Sequence, residues 1–292
     1  METSTKTKTN SENLSLIQLF KGTLAEFGEV KTPRLAAALA YYAVFSLSPL
    51  LLLGVSIAGL VFGEEAAQGR VVGQIEGTVG RETAELIQTM LAATRDEASS
   101  TLGIIISLAT LLLGASALFG HLQDALNTIW KVRTPKNAGI RDVIKKRLVS
   151  FAMVIFIGFM LILSLLLTTG LSVLTDIFTA LPPALAYLYH LINLLFTFGL
   201  ITLLFAILFK FLPDSEIEWR NVWVGAAITA ILFLVGTYLI SFYLGRAGPG
   251  SVYGAAGSLV VLLLWIYYLA QIFFFGSQLT YVYTLESHKS GE

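Results

Sequence analysis

Apolar residues run through this chain in long unbroken blocks. Stretches free of Asp, Glu, Lys and Arg cover residues 35–63, 98–123, 148–175, 177–209, 221–245 and 247–285. Each exceeds the roughly 20 residues that a helix needs to cross the hydrocarbon core. None alternates polar with apolar residues as a membrane β-strand does. The pattern predicts an all-α polytopic membrane protein whose six transmembrane helices occupy residues 35–285.

The polar intervals carry their own patterns. Residues 1–13 read as a disordered tail and 286–292 as a second tail. Leu16, Ile17, Phe20, Leu24 and Phe27 recur at helical spacing beside Lys21 and Lys31, so residues 14–31 predict an amphipathic surface helix, with a packed helix as the competing reading. In the segment 63–101, Val72, Ile75, Val79, Leu86 and Met90 form an apolar stripe among seven acidic residues. That predicts one or two amphipathic helices capping the outer face. Pro213, Asp214 and Ser215 are turn residues, and Ser215 to Glu218 has capping-box spacing.

Orientation follows from the cations. With six spans both termini share a side, and that side holds fifteen Lys and Arg, seven of them between 121 and 147, against four on the other: Arg70, Arg81, Arg95 and Arg246. The excess predicts cytoplasmic termini. Trp130, Trp219, Trp223 and Trp265, mostly near span ends, fit interfacial anchoring.

Composition narrows the function classes. Of 292 residues, 55% are apolar and 13% charged, with nineteen cations balancing nineteen acids. A neutral chain without a basic tract argues against nucleic acid as a partner. The absence of cysteine removes disulfide, iron–sulfur and thiol chemistry. The first apolar run is too long for a signal-peptide core, so the first helix is expected to remain in the mature chain.

Little in the spans suggests catalysis. No charged residue lies deep in any of them, which counts against an ion-driven pump. His121, His190 and His288 are far apart, and no metal, nucleophile or phosphate-loop motif occurs. His190 reads as an interfacial structural residue. The chain is expected to be neither an enzyme nor a holder of a metal or cofactor. Paired inverted repeats, the mark of many transporters, are faint, since Pro49 has no mate in span four.

Three polar groupings are candidates for ligand contact. In span one, Tyr41, Tyr42, Ser46, Ser48 and Pro49 predict a kink. It is either a cavity-facing bend or one satisfied internally. The glycine-rich approach to span six, Gly245 to Ser258 with Tyr253 and Gly254, reads as a re-entrant ligand-contacting segment or as a loop leading into a close helix contact. Arg34, Gln123, Asp124, Asn127, Arg147 and Gln278 fall at similar depth near the cytoplasmic ends of the spans. They either cradle an anionic headgroup or set topology and cap helices.

Several segments carry a family resemblance. Arg34 to Pro49, Leu122 to Trp130, the set Pro213, Trp219 and Gly225, and Tyr253-Gly254, Leu264-Trp265 and Gly276 to Leu279 resemble the YihY/BrkB family of bacterial inner-membrane proteins over residues 15–285. The resemblance implies a six-span protein linked to envelope integrity, virulence or serum resistance, and to envelope-lipid transport. The family often has Glu where this chain has Gln278. Relatives have also carried the label ribonuclease BN, a role for which this chain has neither a metal-ligand cluster nor a basic surface. The sequence thus predicts a multi-pass inner-membrane protein that moves or binds an amphipathic envelope molecule such as a lipid. The alternative is a structural or accessory protein of the envelope. Membrane lipids are the expected partners, nucleic acid is not, and a homo-oligomer is compatible with either reading.

Overall fold

The computed structural model describes residues 16–97, 101–132, 183–247 and 256–289, with Tyr253 and scattered positions between 148 and 163. Among the described residues eight helices follow in order: α1 (Leu16–Glu29), α2 (Thr32–Phe62), α3 (Glu64–Val79), α4 (Arg81–Glu97), α5 (Thr101–Ile129), α6 (Pro183–Phe211), α7 (Trp219–Ala247) and α8 (Gly257–Lys289). No strand occurs among the described residues. Three of these helices contain stretches long and apolar enough to cross a membrane: Leu191–Phe211, Trp219–Leu244 and Gly257–Ser287. The 31-residue α2 and 29-residue α5 lie on two more of the uncharged stretches. In the third stretch, described positions such as Met153 and Met160 are helical and buried.

Backbone chemistry sets the breaks. Lys31 adopts the left-handed conformation, and Pro33 follows in the first turn of α2, where its missing N–H costs nothing. The helical backbone then runs unbroken through Pro49. Gly63 and Gly80 have φ of 82° and 88°, a region that favours glycine, and there the chain leaves α2 and α3. Helix α7 begins at Trp219 rather than near Ser215. The Glu218 carbonyl accepts from the N–H groups of Asn221 and Val222, while the Ser215 hydroxyl is buried without a partner instead of capping.

The central core joins α2, α5, α6, α7 and α8 through Leu126, Ile129, Phe205, Phe209, Val222 and Phe274. Phe205, Phe209 and Phe273 form an aromatic cluster with centroids 5.2 to 6.1 Å apart. Several hydroxyls within the helices return to carbonyls one turn back, as Thr202 does to Phe198 at 2.7 Å, which satisfies them without water.

Helix α1 packs one face on α8, with Phe20 and Phe27 against Phe275, and Leu19 beside Leu279 and Val282. Its other face leaves Ile17 and Leu24 exposed, and Phe20, at the edge of the contact, is half exposed. The amphipathic segment after α2 forms two helices, and they do more than cap the end of the bundle. Helix α3 folds back along α2, so that Ala67 and Val71 pack with Val55. In α4, Ile87 and Leu91 are buried with Val44 and Leu262. Periodicity shows that these helices have an apolar face but not which neighbour that face meets.

Candidate functional site

The polar residues at the α1 end of the bundle are drawn together by long-range contacts. Gln123 and Asn127 are four apart and so share a face of α5. Both are buried, and both amides turn to the α6–α7 turn: Gln123 Nε2 donates to Asp214 Oδ1 at 3.1 Å and Asn127 Nδ2 to Asp214 Oδ2 at 2.9 Å. The Asp214 N–H donates back to Asn127 Oδ1 at 2.8 Å. Both carboxylate oxygens and both ends of the asparagine amide are thus occupied. Beside this knot opens a pocket of about 290 Å³, lined by Gln123, Val149, Phe211, Pro213, Ser215 and Glu216 as well as Asp214.

A second knot joins α2 to α8. Gln278 and Thr32 are both fully buried, and Gln278 Nε2 donates to Thr32 Oγ1 at 2.6 Å, while Gln278 Oε1 has no partner. One residue away, Ser277 Oγ accepts from Trp130 Nε1 at 3.1 Å. Lys131 then ends α5 in the left-handed conformation. Its N–H bonds the Thr128 carbonyl and the Val132 N–H bonds that of Asn127, the pattern of a Schellman cap usually closed by glycine. Its ammonium lies 3.0 Å from Glu26 and 4.0 Å from Glu29 of α1, over the Tyr281 ring. The hydrogen bond to Glu26 holds the lysine above its ordinary pKa.

Away from these knots, α2 shows one exposed stripe. Arg34, Ala37, Tyr41 and Phe45 are all exposed, and the Tyr41 and Phe45 rings lie 4.9 Å apart. Tyr42 instead meets His121, whose Nε2 is 3.1 Å from the Leu35 carbonyl oxygen. Ser46 is buried, with its hydroxyl 3.2 Å from the Ala43 carbonyl and its β-carbon against Gly114 of α5.

The sequence-nominated residues therefore divide. Gln123 and Asn127 are committed to protein partners and Gln278 is committed through its amide N–H alone, whereas Arg34 and Tyr41 face outward. Tyr253 is exposed and lies at the opposite, hairpin end of the bundle from this cluster. Arg147 and Gly254 lie outside the described residues, as does the side chain of Pro49. Sequence reasoning missed Thr32 and the role of Asp214, which it took for a turn residue. An acid beside Pro213, followed by Glu216 and Glu218, gave no sign of two amides waiting some ninety positions earlier. Among the described residues no three His, Asp or Glu side chains form a metal ligand set.

The profile of the family described as Virulence factor BrkB matches residues 23–292. The chain belongs to the BrkB family. Its relatives include UPF0761 membrane proteins from Verminephrobacter eiseniae, 27% identical over 84% of this chain and 57% of the relative, and from Ralstonia nicotianae, 25% identical over 84% and 54%. A third, from Pseudomonas aeruginosa, is 26% identical over 85% and 58%. The BrkB-family chain spans about half the length of the curated relatives it matches. No solved structure matches it. Family membership and the long apolar helices make it a bacterial membrane protein.

Proposed function

We propose that this BrkB-family chain is a six-span protein of the bacterial inner membrane, with both termini cytoplasmic, that holds or moves an amphipathic envelope lipid without catalysing a reaction. The fifteen-to-four distribution of Lys and Arg supports the orientation. The observation that carries the lipid reading is the exposed stripe of α2. It sets a guanidinium at Arg34 below aromatic rings at Tyr41 and Phe45. Arg34 and Phe45 are eleven residues apart, about 16 Å along the helix axis. That is close to one leaflet of a hydrocarbon core about 30 Å thick. An anionic headgroup at Arg34 and a chain along Tyr41 and Phe45 match the stripe in both chemistry and length.

One observation favours a structural scaffold instead. The buried amides of Gln123, Asn127 and Gln278 donate to Asp214 and Thr32, and so stiffen the bundle rather than meet a ligand. Native mass spectrometry of delipidated protein titrated with phosphatidylglycerol separates the two readings. Arg34→Gln and Tyr41→Ala should lower retained lipid several-fold relative to wild type, while an exposed control, Tyr238→Ala, should not. Wild-type retention by both stripe variants would leave the scaffold reading in place.

A further inference from the structure

We infer that the exposed face of the α3–α4 hairpin lies in a water-filled notch that reaches from the outer surface into the depth of the bilayer. This rests on the membrane reading above and on the register of the helices. Gly114 of α5 approaches Ser46 of α2, and His121 meets Tyr42 and the Leu35 carbonyl, so the two helices run antiparallel in fixed register. Ile105 and Ile106 are exposed on α5 and are nine and eight residues outward of Gly114. Ile105 therefore lies about 13 Å outward of the level of Ser46. Exposed isoleucines there mean that lipid still covers the bundle at that height.

The hairpin passes below that height. Helix α3 descends from Gly63, packing Ala67 and Val71 with Val55, and then Ile75 with Leu51. The chain turns at Gly80, and α4 climbs back toward α5, burying Ile87 and Leu91 with Val44, Leu47 and Leu262. Arg81, Glu82 and Glu85 precede Ile87 on the climbing helix, so they lie further in still. All three are exposed, as are Gln88 and Thr89. Arg81 and Glu85 pair at 2.8 Å with side chains 80% and 60% exposed, so no other protein group shields these charges from the medium around the hairpin. Charges facing acyl chains at this depth are strongly disfavoured, whereas charges lining a water-filled space are not. The buried face of α4, with Thr83, Ala84 and Ile87, is the one turned to the bundle.

The notch gives the polar headgroup of an amphipathic molecule a route to membrane depth while its chains stay in lipid. It also explains why the segment is polar between two of the most apolar helices. Cysteine accessibility tests it, because the chain has no cysteine. In spheroplasts treated with a small impermeant methanethiosulfonate, Glu82→Cys and Gln88→Cys should react within about threefold of the rate at Gln68→Cys. Ile105→Cys, nearer the outer surface, should be slower by a factor of ten or more. Unreactive Glu82→Cys and Gln88→Cys, or an Ile105→Cys as fast as they are, would overturn the notch. Orientation is read separately: Asn137→Cys should react only after permeabilisation. If instead it reacts in intact spheroplasts and Gln68→Cys does not, the orientation fails, and the same depth comparison is made on inverted vesicles.

Discussion

Gly225 of α7 and Thr280 of α8 touch so closely that a β-carbon on the glycine would overlap the threonine hydroxyl. The relation is reciprocal, for a β-carbon on Gly276 of α8 would overlap Thr229 of α7. Each threonine also donates to the glycine carbonyl one turn back in its own helix, Thr229 to Gly225 at 2.6 Å and Thr280 to Gly276 at 2.8 Å. Two antiparallel helices thus interlock through four residues. Apolar burial gives little drive between helices already in lipid, so such close packing is what holds them together.

Gly225→Ala should therefore destabilise the protein by at least about 1–3 kcal/mol, the usual cost of overpacking. Thr280→Ser should not rescue it, because the threonine β-carbon would itself stand 2.7 Å from the new methyl. Thr280→Gly should rescue it in part. Thermal unfolding in detergent, followed by size exclusion, checks the order. A Gly225→Ala protein that melts with wild type would show that the two helices can separate without penalty.

What the sequence made legible was set by local pattern. The uncharged runs located α2, α5, α6, α7 and α8, because exclusion of charge from lipid acts residue by residue. The apolar stripe of Val72, Ile75 and Leu86 marked one or two amphipathic helices capping the outer face, but the course of the pair back along α2 depends on contacts with Val55 and Val44 that no spacing encodes. The polar candidates have the same limit. Asn127 and Gln278 stand out in the sequence as polar groups at similar depth, yet the acceptors they meet, Asp214 and Thr32, stand 87 and 246 positions away in the chain. An amide inside a greasy run says that a partner exists and leaves the partner unnamed.

Gln278 gives the second prediction. Its amide donor is used and its carbonyl oxygen is buried without a partner. Gln278→Leu removes the orphaned acceptor while leaving the Thr32 hydroxyl without its donor, so the net cost should be near 1 kcal/mol. Gln278→Glu places a carboxylate where the residue is fully buried. Ionised at neutral pH, it would cost about 3 kcal/mol or more, the scale for an uncompensated buried charge. Melting temperatures in detergent at pH 7 should fall in the order wild type, Gln278→Leu, Gln278→Glu. A Glu variant as stable as wild type would reveal a cation or water beside this position.

Lys131 combines a cost with a compensation. A residue with a β-carbon in the left-handed region is disfavoured by roughly 1–2 kcal/mol relative to glycine. Here the lysine, with φ of 52°, gains Glu26 at 3.0 Å and the Tyr281 ring. The ammonium is nearly half exposed, so solvent screening leaves the ion pair only a few tenths to about 1 kcal/mol. Lys131→Ala keeps the backbone cost and loses the pair, so it should be destabilised by that amount. Lys131→Gly loses the pair and the strain together and should match wild type or exceed it. The pH dependence has a definite sign. Because Glu26 raises the lysine pKa, the pair's contribution is complete below the unfolded lysine value and disappears as pH rises through the higher folded one. Between about pH 6 and 9, below the ordinary lysine value of about 10.4, the difference between wild type and Lys131→Ala should stay constant. Chemical unfolding in detergent at several pH values measures it. A Lys131→Gly protein less stable than Lys131→Ala would mean that the left-handed turn is not where the cost lies.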